Sequence, residues 1–266
     1  MHLKKIAAGA AALVLSTALI AGCGDEKKDS SSDKAKEAIS KIEPTSELTK
    51  DNFAEQIGAA MVKAGSVHVK MTSGGSLPLN AEGDQVTGAT AAESKMSMTM
   101  DVSGMKMDMR LIDNKLYMNM DQLTQGKFTV IDLTDKSDPM VKQFGSLAEQ
   151  TDLAKQFEDF GAAVTKFEKA DAGEKIDGVN TTAYDITMDA KKLAKAQGQD
   201  VAGMPESFTY RFFIGEDNLV RRMSIDVMGQ KLTMDFSDWG KKVSIEAPKA
   251  SEITDVDLSK LMSGAA

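Results

Sequence analysis

A chain of 266 residues, 42% hydrophobic and 27% charged, has the make-up of a folded protein with a sizeable core, which excludes wholesale disorder. Its formal charge is −8 with lysines scattered and aromatic residues at only 5%, so it has neither the basic face nor the stacking platform that a nucleic-acid partner requires. With one cysteine, Cys23, and two histidines, His2 and His68, it can build no internal disulfide and no Cys/His metal cage.

Residues 1–22 read as a secretory leader. Lys4 and Lys5 form its positive start, and Ile6 to Ile20 is an apolar, alanine-rich run. That run is short of the roughly 20 residues a membrane-spanning helix needs. It ends Leu19-Ile20-Ala21-Gly22-Cys23, which resembles the lipobox of bacterial lipoproteins. The resemblance implies that Cys23 is lipidated with a diacylglyceryl group and palmitate-type chains. It would then hold the protein on the extracytoplasmic face of the cell membrane. Residues 23–46 carry that cysteine and a Ser-, Lys-, Asp- and Glu-rich linker, which as a flexible coil would span about 25 Å. The folded domain is expected over 47–250, and a polar tail over 251–266.

Thr49 is placed as the N-cap of an amphipathic helix whose stripe is Phe53, Ile57, Ala60, Met61 and Ala64, ended by Gly65. Val67 to Met71 alternates as a strand, with His68 on the polar side. Gly74 to Ala92, rich in Gly, Ala and Ser and containing Pro78, reads as a loop or a weak strand pair. Ser94 to Asp121 then places a methionine at every second position: Met96, Met98 and Met100, then Met105, Met107 and Met109, then Met118 and Met120. Polar partners alternate with them, and Ser103-Gly104 and Asp113-Asn114 are turn chemistry. The stretch reads as a three-stranded meander with all eight methionines on one apolar, adaptable face.

Phe128 to Leu133 forms another strand. Asp138-Pro139 and Asp152 open helical stretches, the first carrying Met140, Phe144 and Leu147, the second Leu153, Phe157 and Phe160. Val164 to Lys169 and Val179 to Met188 are strands joined through Gly173 to Gly178, and Asp189 caps a short helix stopped by Gly198. Phe208 to Ile214, Val220 to Met228 and Lys231 to Trp239 form a second meander. The fold class is α+β, a curved, largely antiparallel half-barrel sheet closed by helices.

Several of these pieces together resemble one family. They are the lipobox, the capped helix before Val67 to Met71, Gly126-Lys127-Phe128, Lys175-Ile176-Asp177-Gly178-Val179, Ile214 to Arg222, and Asp238-Trp239-Gly240-Lys241 leading to Pro248. Their order is similar to that of the LppX/LprA/LprF/LprG lipoproteins of actinobacteria, relatives in shape of the LolA/LolB carriers. The resemblance implies an apolar half-barrel that carries lipids or acylated glycolipids within the cell envelope, with a membrane exporter as a possible partner. The methionines are not demanded by the family pattern. On this reading the cavity lining is Met96, Met98, Met100, Met105, Met107, Met109, Met118 and Met120.

Two other readings stand beside it. Methionine thioethers are soft ligands for Cu(I), although neighbours on one strand face lie about 6.8 Å apart and need a partner strand to share an ion. A ligand-free tethered interaction or sensor domain is the second, since fold alone does not settle function. An enzyme is not expected: no G-x-S-x-G, Walker or H-E-x-x-H motif is present, and no cofactor is called for. What separates carrier from copper site is whether the methionines lie buried among other apolar residues or gather at a solvent-facing rim.

Overall fold

The computed structural model describes residues 41–43, 45, 47–74, 78–88, 94–135, 137, 141, 160–170, 173–196, 204–227 and 230–256. Helix α1 (Phe53–Ala64) leads into a first meander. Its strands are β1 (Ser66–Ser73), β2 (Leu79–Val86), β3 (Lys95–Val102), β4 (Met105–Ile112), β5 (Lys115–Asn119) and β6 (Thr129–Asp132). The second half holds β7 (Val164–Lys169), β8 (Lys175–Ile176), β9 (Val179–Asp189), helix α2 (Ala190–Ala196), β10 (Ser207–Gly215), β11 (Val220–Val227) and β12 (Gln230–Ser237).

All of these strands join in one antiparallel sheet, in the order β6-β5-β4-β3-β2-β1-β12-β11-β10-β9-β7, with β8 paired to β9 alone. Each half is a meander of near neighbours, and the halves meet where β1 pairs with β12, His68 opposite Ser237. The sheet is open, since β6 and β7 stand at its two edges and do not pair with each other.

Two local expectations change. Thr49 does not cap α1. The Asn52 side chain accepts from the Thr49 N–H at 2.7 Å and donates to the Glu47 carbonyl at 3.0 Å, which ties a separate turn ahead of a helix that begins at Phe53. Gly65 does end the helix, at φ 77°, with its N–H on the Met61 carbonyl. Residues 79–86, expected as a loop or weak pair, form a full central strand paired along its length with both β1 and β3. Its sequence, LNAEGDQV, has low strand propensity and is held by its two neighbours.

After β12 the chain crosses the outer face of the first half-sheet. Arg110 Nη1 donates to the Glu246 carbonyl at 3.0 Å, and Phe128 and Ile253 form a parallel bridge with backbone bonds of 2.8 Å on either side. Ile112, Tyr117 and Phe128 are buried beneath this strap, packed with its Ile245. The chain therefore pairs with the body as far as Thr254, beyond the expected start of the tail at 251. Cys23 with its leader, the helix starts at Asp138 and Asp152, Gly198, the Met228-Gly229 turn and residues 257–266 lie outside the described residues.

Candidate functional site

The two faces of the sheet differ sharply. Residues opposite one another across strands share a face, and alternate residues along a strand change face. The register places Met98, Met109 and Met118 opposite one another, Met100 opposite Met107, and Met96 in line with Leu111 and Leu116. Met105 faces Val102 at the end of the same hairpin. These seven methionines therefore project from one face, and Met120, one residue beyond β5, packs against the same apolar cluster.

That face runs on across the join between the half-sheets. Met100 lies opposite Ala81, Ala81 opposite Met71, Met71 opposite Met234, Met234 opposite Met223, Met223 opposite Phe212, and Phe212 opposite Tyr184. One cluster of buried residues includes the whole succession apart from Met100, which packs against it half-buried. Sequence reading found the methionine strands but not this extension. The alternation Phe208, Tyr210, Phe212 and the pairs Met223/Ile225 and Met234/Phe236 carry the same period-two signal.

On the aromatic half, α1 packs against this face through Phe53. Phe53 of α1 lies 5.3 Å from Phe167, 5.5 Å from Phe212 and 6.1 Å from Phe160, ring centre to ring centre. The methionine half is graded. Met96, Met98, Met109 and Met118 are buried, Met100, Met107 and Met120 are half-buried, and the row ends on Val102 and Met105, 42% and 53% exposed. The apolar face thus opens to solvent at the β3–β4 hairpin. Four of the eight thus lie buried in a mixed apolar cluster and not at a solvent-facing rim.

Outside the apolar patches beneath the strap and beside β8, the outer face is polar and internally paired. Arg211 makes a two-pronged contact with Asp185 at 2.7 and 2.6 Å, and Arg222 bridges Asp235 at 2.5 Å and Glu174 at 3.1 Å. The Arg211 hydrogen bond holds the Asp185 carboxyl below the usual carboxylate range. His68 sits on this face as expected, 2.8 Å from Asp84 and 3.3 Å from Glu82. Partial removal from water, the largest single influence, lowers its pKa, but the Asp84 hydrogen bond and the two carboxylates outweigh it, so the net shift is upward from 6.5. His68 is thus a paired surface residue.

The segment leading in from the linker is fastened at one end of the sheet. Gln56 of α1 accepts from the Thr45 N–H at 3.1 Å and donates to the Glu43 carbonyl at 3.1 Å, and Asn218 donates to both Thr45 and Gln56 at 3.1 Å. Asn218 belongs to the β10–β11 turn, at φ 60°. By the strand register this turn lies at the opposite end of the strands from Ser103-Gly104. The linker therefore joins one end of the sheet, and the apolar face opens at the other.

A family model described as LppX_LprAFG lipoprotein matches residues 50–245. Among solved structures, LprF from Mycobacterium bovis is similar with a TM-score of 0.50 at 18% identity, covering 73% of this chain and 96% of that one. The lipoprotein LppX of Mycobacterium tuberculosis gives a TM-score of 0.48 at 16% identity, covering 71% and 98%. At 18% identity the LprF likeness speaks to the fold alone, an open antiparallel sheet. No curated protein matches the sequence.

Proposed function

The chain belongs to the LppX_LprAFG lipoprotein family, and from that membership we propose that it binds a lipid or acylated glycolipid on its inner sheet face and carries it within the cell envelope. The observation that carries this reading is the unbroken apolar succession from Met107 and Met100 to Tyr184, which crosses both half-sheets and stays open at the β3–β4 hairpin. Acyl chains need a wide, dry surface that tolerates varied shape, and methionine supplies flexible, polarizable contact with almost no competing hydrogen bonds.

In this reading α1 and the helical residues 160–163 close the aromatic half of the face, so that face and helices together form the cavity. Cys23, lipidated, holds the protein on the extracytoplasmic side of the membrane, the cargo comes from a membrane partner such as an exporter, and the protein is a carrier, not a catalyst.

The reading is tested by a charge placed on each side of one strand. Met107 is half-buried on the inner face, and its neighbour Lys106 is exposed on the outer one. Met107→Asp should weaken binding of a fluorescent acyl probe by roughly tenfold or more, because an unpaired carboxylate must be desolvated against the chain. Lys106→Asp should leave binding within about twofold, as a change at a solvated surface site does. Equal losses from both would refute the inner-face assignment.

A further inference from the structure

The chain holds 18 methionines against one cysteine, so nearly all of its oxidisable sulfur is thioether. An apolar strand face does not require methionine. Valine and isoleucine are the aliphatic residues that strands favour, and burying a methionine costs more side-chain freedom. Adaptable packing accounts for methionine anywhere on the face. The thioether also brings redox chemistry: taking up one oxygen atom turns a flexible apolar side chain into a polar one, and the change is reversible.

Access to these sulfurs is ordered along the strands. Met105, beside the Ser103-Gly104 turn, is 53% exposed and is the one exposed methionine among the described residues. In the next row Met100 and Met107 lie opposite each other, both half-buried. One row further in, Met98, Met109 and Met118 are opposite one another and buried. An oxidant arriving from water therefore meets the thioethers in a fixed order, from the open end inward.

We infer that the open end of this face is a reversible oxidation site: a hydroperoxide converts Met105, and behind it Met100 and Met107, to sulfoxides, and an apolar ligand is then held less tightly. The effect on the ligand rests on the lipid-binding reading above. In the step, the sulfur lone pair attacks the terminal peroxide oxygen. The O–O bond breaks as the S–O bond forms, and the departing oxygen takes the proton and leaves as water or an alcohol. Sulfur loses two electrons and the peroxide gains them. Reduction reverses the change: two thiols become a disulfide and the oxygen leaves as water. A sulfoxide is a hydrogen-bond acceptor, and laying hydrocarbon over it strips that acceptor of its water.

The test treats the full-length protein, in a steroid-based detergent, with hydrogen peroxide. Peptide mapping by mass spectrometry should show Met105 oxidised first, Met100 and Met107 next, and Met98, Met109 and Met118 slower than Met105 by roughly tenfold or more. In samples oxidised at the first three and not at the buried three, affinity for a fluorescent acyl probe should fall by roughly three- to tenfold. Methionine sulfoxide reductases of both stereospecificities, supplied with a dithiol, should restore it. A variant carrying Met100→Leu, Met105→Leu and Met107→Leu together, whatever its starting affinity, should show no such fall on the same treatment. The inference is overturned if the buried methionines oxidise as fast as Met105, if oxidation at the open end leaves affinity unchanged, or if the leucine variant loses affinity as wild type does. If the untreated protein does not bind the probe at all, the lipid-binding reading itself fails, and this inference falls with it.

Discussion

Single residues on the inner face differ in what burial does to them. The buried methionines offer bulk and adaptability, whereas Tyr210 brings a phenol whose pKa is raised by removal from water. Its protonated form is favoured in the fold, with a folded pKa of about 12 against an ordinary 10.0. The stability this contributes is fully present below pH 10 and is lost as the pH rises through about 12. In a spectrophotometric titration of the tyrosines, a last ionisation step near 12 should be present in wild type and missing in Tyr210→Phe. A Tyr210 that ionises near 10 would mean its ring is open to water. None of this was legible in the sequence, where Tyr210 is one member of an alternating strand and nothing marks which face meets water.

Among the elements, β2 is the one that neighbours impose on an unwilling sequence. Gly83 lies at its centre, opposite Val69 and Met98, and a Cβ there would meet the Ser97 carbonyl oxygen at 2.1 Å and Met98 Cα at 2.7 Å. The methionine strand is thus drawn in against bare backbone. Gly83→Val should destabilise the fold by roughly 2 kcal/mol or more in a denaturant titration, since the clash is with main chain that cannot rotate away. An unchanged midpoint would show that β3 does not pack on β2 as described. The methionine strands β3, β4 and β5 were legible because strict alternation and the Ser103-Gly104 and Asp113-Asn114 turns reinforce one another, and all four turn residues take positive φ. β2 was not legible, since its glycine and polar residues read as loop when its partners are unknown. The same limit displaced the start of α1, because Thr49 and Asn52 are both capping residue types and only the fold shows that Asn52 ties the turn.

On the scale of the whole molecule, two meanders of near neighbours are joined by the pairing of β1 with β12, far apart in sequence. Local pattern cannot supply that join, and it is the join that makes one continuous apolar face out of two. It also sets the polarity of the domain. The linker segment is locked at the Asn218 end and the apolar face opens at the Ser103-Gly104 end, with strands of eight residues, about 26 Å, between them. In a carrier this geometry holds the open lip away from the point of attachment.

The measurement that reaches the central claim most directly is mass spectrometry of lipids extracted from the full-length protein, purified from a host with a native envelope in a detergent free of acyl chains. A carrier should yield near-stoichiometric acyl lipid in addition to any chains bound covalently at Cys23, and Met107→Asp should yield much less at the same protein recovery. Wild type and Met107→Asp with equal, trace amounts of non-covalent lipid would contradict a lipid-binding inner face.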